Sequence, residues 1–131
     1  MVELIRSPEL TGTVPYAYAA VARDVSRLVF TAGACPLDDA GEVVAVGDVA
    51  AQAEQVMANL VTALTAAGAE LTDVTKTTVY VASTERADLV AAWDVVSRWF
   101  GEHDAPSTLL GVAVLGYRDQ LVKVEAIAAL R

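Results

Sequence analysis

The sequence predicts an α+β fold: one mixed sheet with two helices packed on one of its faces. Three observations carry this. Segments rich in β-branched residues lie near both ends, and two stretches between them repeat apolar residues at three- and four-residue spacing. Gly, Pro and Asp mark each change of pattern. The resulting order of strands, helix, strand, helix, strands makes the helices a covering layer on the sheet.

Val2–Ile5 is the first strand. Ala17–Ala22 and Leu28–Thr31 follow, and Arg23-Asp24-Val25-Ser26 between them reads as the turn of a hairpin. Gly33 and Pro36 punctuate a loop, and Asp38-Asp39-Ala40-Gly41 is a second turn. Asp48 can cap the first helix, with Glu54 early in it. Val49, Ala53, Val56, Met57, Leu60, Val61 and Leu64 form its apolar stripe, with Met57 as core filling. Gly68 is its stop. Val74–Ala82 is a strand. Thr84-Glu85 opens the second helix, which presents Leu89, Ala92, Trp93, Val96 and Phe100 on one side and ends at Gly101. Ser107–Leu115 and Leu121–Leu130 close the chain as strands, with Gly116-Tyr117-Arg118-Asp119 as a hairpin turn. No linker or repeat interrupts residues 1–131, so a single domain is expected.

The strand at Ser107–Leu115 predicts more. One face carries Thr108, Leu110, Val112 and Val114; the other carries Leu109, Gly111, Ala113 and Leu115. A strand apolar on both sides is normally covered on both sides. Two helices cover only one. At roughly 25 cal/mol per Å² of apolar area, leaving the other in water is costly, so a second copy of the chain is expected there. The mean hydropathy of +0.45 agrees with such a surplus of apolar surface.

Composition excludes several function classes. Lys plus Arg number 9 against 17 for Asp plus Glu, a net charge of −8. An acidic surface repels phosphate and the positive residues are scattered singly, so no nucleic-acid partner is expected. One Cys permits no intrachain disulfide. Cys35 and His103 alone cannot make up the roughly four ligands of a structural zinc site. No nucleophile-elbow signature is present. The N-terminal MVELIRSPEL lacks a signal-peptide core, and no apolar run reaches the roughly 18 residues of a membrane span. A cytoplasmic protein is the default expectation.

Lys123 and Glu125 stand two apart on one face of the last strand, charged residues in an otherwise apolar run. The plainer reading is an ion pair or a solvated rim; the sharper one is a catalytic or ligand-holding pair in an interface cleft. Ser107 and Thr108, just after Pro106, can present hydroxyls to a ligand or merely satisfy local backbone. The small residues Ala32 and Gly33 let backbone approach a ligand closely, although a turn would explain Gly33 equally well. Tyr16 offers an interface hydroxyl or packing. Trp93 reads as core, Trp99 as a rim cover and His103 as exposed. Cys35 has no activating neighbour in sequence.

Taken together, these segments resemble the Rid family (YjgF-type reactive intermediate deaminases) over nearly the whole chain. Pro15-Tyr16 resembles the family's G-P-Y-S segment. Phe30-Thr31-Ala32-Gly33-Ala34-Cys35-Pro36 resembles its strand ending in S-G-Q-I-P. Asn59-Leu60, Ala66-Ala67-Gly68, Leu71, Asp73-Val74 and Lys76-Thr77-Thr78-Val79-Tyr80-Val81 resemble its central block, and Val124-Glu125-Ala126-Ile127-Ala128 its closing strand. The resemblance implies a chorismate-mutase-like fold and a homotrimer with ligand clefts between subunits. It also implies cofactor-free hydrolysis of enamines or imines to a keto acid and ammonia. In the family an Arg after the last Pro grips the substrate carboxylate as a fork. Here Ala105-Pro106-Ser107-Thr108 puts Ser107 in that place, Lys123 replaces a Glu of the closing strand, Ala32 replaces the loop Ser, and Val14 replaces a Gly.

The expected function is therefore deamination of an enamine- or imine-type metabolite with a non-standard substrate. Lys123 and Glu125 would be catalytic, and Tyr16, Ala32, Gly33, Ser107 and Thr108 ligand-binding. The ligand is a small molecule, with anions among the candidates. The alternative is a non-catalytic relative that binds a metabolite or a partner protein. RNA cleavage or translational inhibition ranks third because of the acidic balance.

Overall fold

The computed structural model describes residues 1–131. Strands β1 (Val2–Ile5), β2 (Ala19–Ala22) and β3 (Arg27–Phe30) precede helix α1 (Val49–Ala66). Strand β4 (Val74–Ala82), helix α2 (Arg86–Phe100) and strands β5 (Ser107–Val112) and β6 (Val122–Leu130) follow. Strands β1 and β2 pair antiparallel as a two-stranded sheet; the larger sheet has the order β3-β6-β4-β5. Only the β4–β5 pair is parallel, joined through α2. Both helices lie on one face of the larger sheet, α1 against β6 and α2 against β4 and β5, and they pack on each other.

Two expectations from local pattern are corrected. The segments around Arg23–Ser26 do not form a hairpin: β2 pairs with β1, and β3 pairs with β6. Asp24, at φ 55, does turn the chain, but the turn passes it from one sheet to the other. The Arg23 N–H reaches the Met1 carbonyl (3.3 Å), whereas the Ser26 N–H reaches that of Leu130 (2.9 Å). Nor do β5 and β6 form a hairpin about Gly116–Asp119, because β4 lies between them. Turn residues report a change of direction and not which strand pairs next. Strand β5 also stops at Val112, short of Leu115, because its partner β4 ends at Ala82, paired with Val112.

The helices follow the sequence reading closely. The Asp48 side chain accepts a hydrogen bond from the Ala51 N–H (3.0 Å), which caps α1. Its far end closes through Gly68 N–H to Thr65 O (3.0 Å) and Ala69 N–H to Leu64 O (2.8 Å). That closure needs the left-handed backbone at Gly68, φ 84. Gly101, at φ 59, ends α2. The core lies between helices and sheet. Val56, Met57, Leu60 and Leu64 meet Val79 and Val81 of β4 and Val122, Val124, Ala126 and Ala128 of β6. Trp93 is half-buried beside this core and not within it.

Gln52 is the polar exception. It is fully buried in α1, donates to Asp119 O (2.9 Å) and Ala45 O (3.4 Å), and accepts from the Leu121 N–H (2.8 Å). It thereby ties the segment leading into β6 to the helix layer. Gln52→Ala strands these backbone groups and leaves a void, with an expected cost of about 2–3 kcal/mol. Urea unfolding measures this as a lower midpoint at unchanged slope.

The opposite face of the sheet is open. Phe30 is 69% exposed there and Leu28 56%, with Ile127 beside Phe30 and Leu110 on the far edge strand. No helix of the chain is long and apolar enough to cross a membrane.

Candidate functional site

On the open face, side chains alternate out of the pleat and strand register decides which of them meet. The β4–β6 register sets Tyr80 opposite Lys123 and Thr78 opposite Glu125. The β4–β5 register sets Leu110 beside Tyr80 and Thr108 beside Thr78. A polar patch thus sits amid the exposed apolar side chains.

The loop after β3 closes this patch on one side. Thr31 N–H donates to Ala126 O (3.0 Å), and Ala126 N–H donates to Thr31 Oγ1 (2.9 Å). Ala34 and Val124 exchange backbone bonds at 2.7 and 3.2 Å. Asn59 of α1 holds the next turn by donating to Cys35 O (2.8 Å) and Leu37 O (2.9 Å). Between these clamps the N–H groups of Ala32 and Gly33 donate to nothing in the chain. Two successive small residues there offer free donors at the level of Glu125.

Gly33 is required by contact and not by turn geometry. Its φ is not in the left-handed region. A Cβ at this position would overlap Lys123 Cε and stand 2.7 Å from Lys123 Cγ. The lysine stem therefore lies across the glycine, with Nζ 6.0 Å from the Tyr80 ring centroid. Lys123 and Glu125 do not pair: the ion pairs of the chain are Arg6–Asp104, Arg23–Glu3, Arg98–Glu54 and Arg131–Asp24. Glu125 instead accepts a hydrogen bond from the Tyr80 hydroxyl (2.8 Å). Thr78, Glu125, Lys76, Thr31 and Phe30 line a cavity of about 210 Å³ on this face. Lys76 Nζ donates to Thr108 Oγ1 (2.7 Å).

The Tyr80 hydroxyl is held above the ordinary tyrosine range. Its bond to Glu125 is the largest cause; burial and the negative charge of Glu125 add to it, and a Thr78 hydrogen bond opposes it. A raised phenol pKa adds stability that is complete below the ordinary value near 10.0 and is lost as pH rises through the folded value. An alkaline titration followed by phenolate absorbance should show one late component among the four tyrosines. Glu125→Gln should move that component down, since it removes the negative charge.

Tyr16, Ser107 and Thr108 stand elsewhere. With Pro15, Trp93 and Leu109 they line a cleft at the β5 edge. Tyr16 meets Trp93 edge to face, centroids 6.5 Å apart. Thr108 points to the open face, but Ser107 points toward the helices, where its Oγ accepts from Thr77 Oγ1 (2.7 Å). With β4 between β5 and β6, the two groups lie about 10 Å apart across the sheet. One chain therefore joins Lys123, Glu125, Ala32 and Gly33, and holds Tyr16, Ser107 and Thr108 as a separate group.

Tyr80, Thr78 and Lys76 are residues the sequence reading passed over. The signal was present as polar side chains at every second position of β4, although only strand pairing shows that they face Glu125. His103 is half-buried and not exposed. Its Nε2 lies 2.8 Å from Val74 O, and a carbonyl can only accept, so that nitrogen carries the proton. Cys35 is half-buried with its Sγ 3.4 Å from Gly33 O. No three His, Cys, Asp or Glu side chains converge as metal ligands would.

A two-helix layer on one face of a mixed sheet is the α+β architecture of the YjgF-type structures that this chain resembles. The family model described as Endoribonuclease L-PSP matches residues 8–130, and the chain belongs to this family, the Rid/YjgF family. A RutC family protein of Pyrococcus abyssi is 36% identical over 124 residues, covering 94% of this chain and 91% of the relative. The 2-iminobutanoate/2-iminopropanoate deaminase of Escherichia coli K12 is 35% identical over 112 residues, covering 82% and 84%. Among solved structures, a Rid-family protein of unknown function from Yersinia pestis superposes with a TM-score of 0.90 at 30% identity, covering 98% of both chains.

Proposed function

We propose that the protein is a homotrimer that hydrolyses an enamine- or imine-type metabolite, without cofactor, in clefts between its subunits. The observation that carries this reading is the cluster around Glu125: a carboxylate fixed by Tyr80, an ammonium at Lys123 with no carboxylate partner, and two free N–H groups at Ala32 and Gly33. The kinship with a protein named as an imine deaminase supports the reaction class.

Each part has a task. Lys123 and the loop N–H groups hold an anionic end of the substrate; the ammonium is a point charge and holds it less directionally than a guanidinium fork. Glu125 takes a proton from water as the water oxygen bonds to the imine carbon, and returns it to the nitrogen. The resulting carbinolamine expels ammonia and leaves the carbonyl, so imine plus water gives ketone plus ammonia. Covering the exposed Leu28, Phe30, Leu110 and Ile127 with other copies makes the assembly favourable and dries the cluster. Tyr16, Ser107 and Thr108 of one copy then form the second wall of a neighbour's cleft.

The test is ammonia release from freshly generated imino acids and from the same compounds with the carboxylate blocked. Turnover of the free acids is expected, reduced about a hundredfold by Glu125→Gln, within the range of a lost general base. Lys123→Ala should erase the preference for the free acid. No release from any substrate, alongside a thermal shift with small metabolites, would replace this reading with a binding module. Degradation of RNA would replace it with a nuclease.

A further inference from the structure

We infer that the cavity between α2 and the start of β5 is a binding site for an uncharged aromatic group carrying one hydrogen-bond acceptor. Trp93, Val96, Phe100 and Pro15 wall a space of about 240 Å³, and Thr77 and Ser107 supply its hydroxyls. An apolar cavity of about 150 Å³ suffices for benzene in another protein, so this one has room for a substituted ring.

Two features set the chemistry of the occupant. The first is charge. Asp104 is the only ionisable side chain lining the space, and Arg6 engages it in an ion pair. Arg6 is further held by donating to Val14 O (3.3 Å). No unpaired cation lines the cavity, so a carboxylate entering it would lose its hydration for nothing in return. The second is the direction of one hydrogen bond. Buried Thr77 donates to Ser107 Oγ (2.7 Å), so the hydrogen of Ser107 itself has no acceptor in the chain. It is offered to a carbonyl, ether or hydroxyl oxygen of the occupant. The cavity shares Pro15, Trp93 and Ser107 with the cleft at the β5 edge, which provides its way in. The cavity shares Ser107 with the wall that one copy lends to a neighbour's cleft, and to that extent the inference rests on the proposed function, but saturable binding of a neutral probe is read without ammonia release.

Trp93 is the natural reporter. The other tryptophan, Trp99, lies off the cavity, with its indole N–H bonded to Glu54 Oε2 (3.0 Å). In Trp99→Phe protein, benzyl alcohol should change the Trp93 emission saturably, and benzoate should bind at least tenfold more weakly. Ser107→Ala should weaken benzyl alcohol several-fold and leave toluene unchanged. Ser97→Phe, which fills the cavity from α2, should abolish binding of both neutral probes while the protein still melts cooperatively. The Trp93 indole N–H resonance of the unaltered chain gives the same readout if Trp99→Phe proves unstable. The inference is overturned if no neutral probe binds saturably, if benzoate binds as tightly as benzyl alcohol, or if Ser97→Phe changes nothing.

Discussion

Gly33→Ala is expected to abolish the Lys123-dependent activity while leaving the fold in place. The backbone at Gly33 is one that alanine adopts, so the substitution adds no conformational strain. The added methyl instead overlaps the Lys123 side chain. That side chain is flexible and rotates away at little cost in stability, carrying its ammonium off the cluster. Displacing a binding group by an ångström or more costs on the order of a hundredfold in turnover. The loss should match that of Lys123→Ala, and the double variant should be no worse than either, since both remove the same contact. Full activity in Gly33→Ala protein alongside inactive Lys123→Ala protein would show that the lysine acts from another position. Ammonia release and a thermal melt on the same samples separate loss of site from loss of fold.

Phe30→Asp is expected to turn the assembly into single-copy particles. In one chain Phe30 is 69% exposed, so an aspartate there costs the monomer little. Against other copies of the open face, the same carboxylate would be buried beside Ile127, its register neighbour in β6, with Glu125 lining the same cavity and the one cation there, Lys76, held by Thr108. An uncompensated buried charge costs about 3–5 kcal/mol, and a symmetric assembly incurs that cost at every subunit. Sedimentation at micromolar concentration should show a trimer for the unaltered protein and one copy for the variant, with turnover lost in parallel. A trimer that survives Phe30→Asp would place its interface elsewhere; an unaltered protein that sediments as one copy would remove the inter-subunit cleft altogether.

Much of the framework was legible from local pattern. Asp48, Gly68 and Gly101 marked helix ends because capping is chemistry between near neighbours in sequence. The apolar spacing of Val56, Met57, Leu60 and Leu64 named the face of α1 that is buried. The two hairpins were misread for the opposite reason. A turn at Arg23–Ser26 or Gly116–Asp119 is local, but the choice of β1, β4 or β6 as partner depends on how the whole sheet closes. The site divided in the same way. Lys123 and Glu125 were conspicuous as charges in an apolar strand, and Ala32 and Gly33 as small residues in a loop. Their proximity, the Tyr80 bond to Glu125 and the contact of Lys123 with Gly33 arise only from pairing of β6 with β4 on one side and with the loop after β3 on the other.

The sequence alone determined the class of fold, the extent of both helices and the Asp48 cap of the first, the surplus of apolar sheet surface and the family. All of these rest on spacing within a few residues or on ordered motifs. Tertiary structure decided which strands are neighbours, and hence that Lys123 meets Tyr80 and not Glu125, that Ser107 turns away from the open face, and that a neutral cavity lies behind it. Those outcomes depend on contacts between residues tens of positions apart, for which a linear pattern carries no register.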